Sequence, residues 1–267
     1  KNEGAIVAIF NFRKQKQEQR TASTNDGSLI SVFGQVTNSV ENVTIDTALG
    51  VPAVMAAVNF LSGTIASLPL HVYKRNKDSD ERYEGTVSQV LNSITNEEMS
   101  SFEWRKYSFE QVFTGGRSIS YIERNTKGDI LNIFPIEPDD IEIKRVNQVK
   151  TYKLSSGKVY KPEDVIDIPF MLKSDMCDHR GPIETNKQAI AMVIAASKYG
   201  SKAFQSGAMK KATEENKPLI AMPTGHELKV LGFNPSEMQL LELQRFGIEE
   251  IARIYQLPPV FLQDLTH

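Results

Sequence analysis

Asp175, Cys177, Asp178 and His179 bring four metal-capable side chains together within a few residues. A zinc site built on them needs further ligands from a second cluster. The other histidines, His71, His226 and His267, stand singly. The segment therefore reads as a polar loop between a strand and a helix, with no metal or other cofactor expected. Paired carboxylates occur at Asp139-Asp140 and Glu249-Glu250. Adjacent side chains on a strand or helix point in different directions, so neither pair is a ready acid–base dyad, and both read as solvated. The chain has no phosphate-binding P-loop, no Gly-x-Gly-x-x-Gly, no Gly-x-Ser-x-Gly and no His-Glu-x-x-His. No catalytic site emerges.

A different pattern lies near the end of the chain. Glu242, Arg245, Glu249 and Arg253 follow one another at three- and four-residue steps, which on a helix form one stripe of alternating charge. Such a stripe is either a solvated face or a surface that meets copies of itself or a wet channel. Lys210, Lys211 and Lys217 form a basic group upstream, readable as a solvated loop. The single Trp104 sits at a helix start beside Phe102 and reads as packing in a core or between subunits.

These residues need elements to position them. Residues 1–45 are polar, rich in Ser, Thr, Asn and Gln, and read as an arm that wraps a surface. Thr47 or Asp46 can cap a helix that carries Pro52 early and Val51, Val54, Met55, Val58, Leu61 and Ile65 at helical spacing. Leu68-Pro69-Leu70 ends it, a strand follows at 71–73, and 74–82 is a turn or hairpin loop. A second helix is expected over about 101–114, stopped by Gly115-Gly116. Alternation then predicts strands at 118–122 and 130–134 around an Asn125–Gly128 turn, and further strands near 141–143, 149–154 and 165–168. From Pro182 to about Phe204 the pattern is helical and crowded with Ala, Ser and Gly, which allow close helix approach. Pro235 opens another long helix ending before Pro258-Pro259. Each would span roughly 33 Å. Short strands are expected between them, at 219–233. The fold class is α+β.

Composition bounds the function. The 267 residues are 40% hydrophobic and 24% charged. That is ordinary for a folded domain with a sizeable core. No run reaches the ~18 apolar residues of a membrane span, and Ile6–Phe10 is too short to read as a secretory signal. A lone Cys177 excludes an intramolecular disulfide framework. Net charge is −2, against the strong basic excess of tight nucleic-acid binders.

In order along the chain, several segments resemble the portal proteins of tailed, double-stranded-DNA bacteriophages. They are Ala53–Val58 through Ile65–Tyr73, Gly115–Ile122, Leu131–Pro138, Gly181-Pro182-Ile183, Phe204–Ala208 and Ile251–Pro259. The resemblance covers about residues 50–265, and the ordered set carries it rather than any one motif. It implies a portal fold with an N-terminal arm (1–45), a mixed α+β wing (46–181), and two long antiparallel stem helices (182–207 and 235–257). A small clip with short strands (208–234) joins the stem helices, and 258–267 would start a channel loop, with the crown absent. The family normally carries a further helical stretch around 209–217 before the Leu219 strand, so either extra chain near 211–213 or a shortened clip is expected. It also implies a ring of twelve subunits at one capsid vertex of the virion, assembled in the bacterial cytoplasm. Double-stranded DNA would pass through it non-specifically. The ring would dock the terminase large subunit, a head–tail adaptor and the major capsid protein, with no membrane involved. Glu242, Arg245, Glu249 and Arg253 would be stem residues lining the channel or meeting neighbours, and Lys210, Lys211 and Lys217 clip contacts for DNA or the motor. The alternatives are an α+β nucleic-acid-processing enzyme with an unrecognised site, or a head–tail adaptor ring. Residues 50–170 argue against the latter, whose subunits lack a wing.

Overall fold

The computed structural model describes residues 43–76, 79–147, 149–215 and 235–262, and the side chains among them except those of 202–215 and 235–241. The chain opens with a short helix α1, Ile45–Leu49, capped by Thr44, whose hydroxyl accepts from the Thr47 amide. Helix α2, Pro52–Ser67, starts at Pro52. Its missing N–H costs nothing at the first helical position. The buried Arg105 closes the far end by donating from its guanidinium to the Leu68 carbonyl.

Strands β1 (Tyr73–Arg75) and β2 (Asp80–Arg82) form a small exposed hairpin, two residues later than expected because Tyr73, not His71, begins the pairing. Helix α3, Thr86–Asn92, is not legible in the sequence, being only two turns long. Helix α4, Ser101–Thr114, carries a capping box. Ser100 Oγ accepts from the Glu103 amide, and the Glu103 carboxylate accepts from the Ser100 amide at 2.8 Å.

Three layers follow. The first sheet, ordered β4-β3-β8, is antiparallel and joins β3 (Arg117–Arg124) to β4 (Ile130–Ile136) and β8 (Val165–Pro169). Its residues alternate as strands must. On one side Ser120 and Ile133 meet α4 and α3, where the Trp104 indole donates to Ser120 Oγ at 3.0 Å beside Val90. On the other, Ile119 and Val165 pack against Ile141 and Tyr152 of a second sheet. That sheet is β5 (Ile141–Val146), β6 (Val149–Leu154) and the short β7 (Val159–Tyr160). Trp104 is thus core, 5% exposed.

Two long helices complete the chain: α6, Lys187–Glu215, and α7, Pro235–Ile254, preceded by a single turn α5, Pro182–Thr185. The first differs from its expected bounds at both ends. It breaks at Asn186, whose side-chain amide donates to the Pro182 carbonyl at 2.8 Å. A side chain bonded back to the chain in this way competes with helix propagation. The helix continues past 207 because 208–215 consists of good helix formers and Thr, with no Pro or Gly to stop it. The backbone is helical through 211–213. The short strands expected at 219–233 lie outside the described residues. The main apolar core joins α2 to the helix pair through Val54, Ala57, Ile190, Ile251 and Tyr255.

Candidate functional site

Helices α6 and α7 run antiparallel. Ile190 and Ile251 share the core at one level, and Val193 meets Gly247 at the next. The small-residue face read from the sequence is what permits this: Ala191, Ala195 and Ala196 are fully buried. A methyl built on Gly247 would sit 2.6 Å from Val193 Cγ2, so hydrogen alone fits there. The pair is fixed to the α/β body by Tyr255, whose hydroxyl donates to the Phe113 carbonyl at 3.0 Å. Burial pushes the Tyr255 phenol well above its ordinary range, so it stays a neutral donor.

With Gly247, Ile251, Ala252 and Tyr255 turned inward, the opposite side of α7 carries the charged stripe. Glu242, Arg245 and Arg253 are exposed and Glu249 half-buried. Arg253 pairs with Glu249 at 3.4 Å and also with Glu250. The adjacent acids of Glu249-Glu250 therefore converge on one guanidinium, placed three and four residues on. Phe246, 46% exposed, sits among these charges and escapes a reading of the charges alone. Its position four residues after Glu242 is the available signal. Lys210 and Lys211 lie on the last turns of α6, with side chains outside those described, and Lys217 falls outside the described residues altogether.

Among the described residues, the most concentrated buried charge lies elsewhere. Arg117 donates from Nε to Asp167 Oδ1 at 2.9 Å and from Nη1 to the Cys177 carbonyl at 2.6 Å. Asp167 Oδ2 accepts from the Tyr152 hydroxyl at 2.9 Å and lies 3.4 Å from Lys150 Nζ. Burial, reinforced by the neighbouring carboxylate, raises the Tyr152 phenol. His179 Nε2 faces the Gly115 carbonyl at 3.1 Å. A carbonyl can only accept, so Nε2 donates to it, and Nδ1 is turned to Arg117 at 3.4 Å. Asp175 accepts from the Cys177 and Asp178 amides, both at 3.0 Å, closing a hairpin turn. Of the four metal-capable side chains of 175–179, Asp175 closes the loop, Asp178 pairs with Lys173 at 3.4 Å, and His179 faces the Gly115 carbonyl. Among the described residues no group of three or more His, Cys, Asp or Glu could hold a metal ion. Arg117 and Asp167 are legible in the sequence only as charges interrupting apolar strands.

The loop's purpose is positional. Gly116, at φ +93°, stands against Gly181, where an added Cβ would lie 2.4 Å from the Gly181 Cα. This backbone contact sets where α5 and α6 leave the body. The geometry is that of a body with a projecting helix pair carrying an exposed charged stripe, and no nucleophile–base pair accompanies it among the described residues.

The sequence model of the family described as phage portal protein matches residues 52–218. This chain belongs to that family. It is 27% identical to the probable portal protein of Streptomyces phage phiC31, over 94% of this chain and 63% of that protein. It is 20% identical to the portal protein of Enterobacteria phage HK97, over 92% and 66%. The chain thus spans just under two thirds of the length of either portal protein. Two solved structures share the portal fold. One is an HK97-family phage portal protein from Corynebacterium diphtheriae, with TM-score 0.56 and 17% identity over 82% of this chain and 78% of that one. The other is the neck of a native gene transfer agent particle computed with C12 symmetry, with TM-score 0.58 and 15% identity over 82% and 69%.

Proposed function

We propose that this chain is one subunit of a ring, of twelve copies, at a single vertex of a tailed-phage capsid, forming the channel through which double-stranded DNA is packaged and ejected. The observation that carries this is the helix pair. One side of α7 is buried against α6 and α2, while the other holds Glu242, Arg245, Phe246 and Arg253 exposed in the isolated subunit. In a ring, that face has a neighbour or a lumen to meet. The twelvefold symmetry of the related gene transfer agent neck supports the subunit number.

The subunit would act as a conduit and docking hub rather than as an enzyme. A channel that neutralised many phosphates would hold DNA with a steep salt dependence and resist its sliding. A net charge of −2 suits weak, sequence-blind passage. The clip, carrying Lys210, Lys211 and Lys217, would dock the terminase large subunit and later a head–tail adaptor, and the wing would face the major capsid protein. Electron microscopy and mass photometry of the purified chain test the reading. A closed ring with a central hole supports it, whereas a persistent monomer with metal-dependent nuclease activity would sink it.

A further inference from the structure

A groove of about 680 Å³ opens between the start of α2 and the facing sides of α6 and α7. Its walls are apolar at Ala56, Val193, Ile248 and Leu262. Its polar side chains include Ser197, Lys198 and Gln244, all able to donate hydrogen bonds, and no carboxylate lines it among the described residues. The size is typical of a groove that buries several side chains of a short segment. The occupant this chemistry suits is an uncharged apolar stretch whose backbone carbonyls meet those donors.

Such a stretch stands close by in the chain. Thr47 and Gly50 form one lip of the groove, only a few residues from Val43, where the described chain begins. Within the polar arm, Leu29-Ile30-Ser31-Val32-Phe33 is apolar, uncharged and only nine residues short of Val43. Nine residues reach roughly 30 Å, enough to lay the segment on a surface that begins at Thr47. So short a tether also gives a millimolar effective concentration, which favours the chain's own segment over a neighbour's. We propose that this groove is the seat of Leu29–Phe33 from the same chain, anchoring the N-terminal arm across the root of the helix pair. The docking holds whether or not the subunits assemble into a ring.

Disulfide trapping in the whole 267-residue chain tests it, in a Cys177→Ser background. Ala56→Cys is combined with Ile30→Cys, with Val32→Cys, or with Ile9→Cys, which belongs to the arm's other apolar stretch. Tether length alone makes the nearer pairs close only about three times faster than the Ile9 pair. Docking predicts an intrachain bond at least tenfold faster for position 30 or 32 than for position 9, and independent of protein concentration. Leu29→Asp with Phe33→Asp should remove that advantage while leaving far-UV circular dichroism unchanged. Equal rates after correction for tether length, faster trapping at position 9, or bonds between chains would each overturn the proposal. Ring formation is read separately by mass photometry, so its failure leaves this outcome untouched.

Discussion

Arg117 Nε and Asp167 Oδ1 lie 2.9 Å apart across neighbouring strands, with both side chains more than nine-tenths buried. The carboxylate is also held by Tyr152 and Lys150, and the guanidinium by the Cys177 carbonyl. Removing one partner leaves the other as an uncompensated buried charge. Asp167→Ala should therefore cost about 3–5 kcal/mol in urea unfolding. Arg117→Met combined with Asp167→Leu should cost far less than the two single changes added together.

Gly116 and Gly181 make a contact that no side chain can enter. A Cβ on Gly181 would lie 2.5 Å from the Gly115 carbonyl oxygen, and Gly116 has φ +93°. Both obstacles are backbone, so neither can rotate away. Gly181→Ala and Gly116→Ala should each destabilise by roughly 3 kcal/mol or more, from overpacking at both and left-handed strain as well at Gly116. Gly128→Ala is the control, with similar φ but open space around it. It should cost only about 1–2 kcal/mol. Thermal unfolding separates the two cases.

These contacts mark where sequence reading reaches and where it stops. Helix α4 and strands β3 and β4 are legible because their signals are local: glycines after Thr114, and alternation on either side of the Asn125–Gly128 turn. The Arg117–Asp167 pair is not, because it joins residues fifty positions apart and depends on strand register. The charged stripe of α7 follows from helical period alone, but nothing local says that Gly247 faces Val193. Helix α3 and strand β7 are too short for periodicity to register.

The hairpin that carries His179 should loosen in acid. Amide hydrogen bonds from Cys177 and Asp178 hold the Asp175 carboxyl below its ordinary range. A depressed folded-state value means the stabilisation is present above the unfolded carboxylate range, near pH ~4, and is lost as pH falls through the lower folded value. Hydrogen exchange at the Cys177 and Asp178 amides should accelerate over that window beyond its intrinsic pH dependence. Asp175→Asn keeps the acceptor but not the charge, and should abolish the excess.

Gly247 and Val193 should be energetically coupled. A Cβ on Gly247 would stand 2.6 Å from Val193 Cγ2. Val193 is β-branched and its χ1 is stiff, so it yields poorly to that methyl. Gly247→Ala improves helix propensity by about 1 kcal/mol yet should come out net destabilising by about 1–2 kcal/mol. In a Val193→Ala background the same change should become neutral or stabilising. The double-mutant cycle measures the contact between the helices directly.

The stripe on α7 separates a solvated face from an assembly surface. Exposed ion pairs contribute about 0–1 kcal/mol, so Arg253→Glu alone should hardly alter the unfolding of the isolated subunit. If the stripe meets a neighbour in a ring, the same change places like charges together, adding an acid beside Glu249 and Glu250 in every copy. Ring formation, followed by mass photometry against protein concentration, should then weaken by tenfold or more. Glu249→Arg with Glu250→Arg in the Arg253→Glu background should restore it. Removing the apolar contact by Phe246→Ser should weaken assembly with little change in the folded monomer. Assembly unchanged by all of these variants would assign the stripe to the lumen or to solvent and move the subunit interface elsewhere.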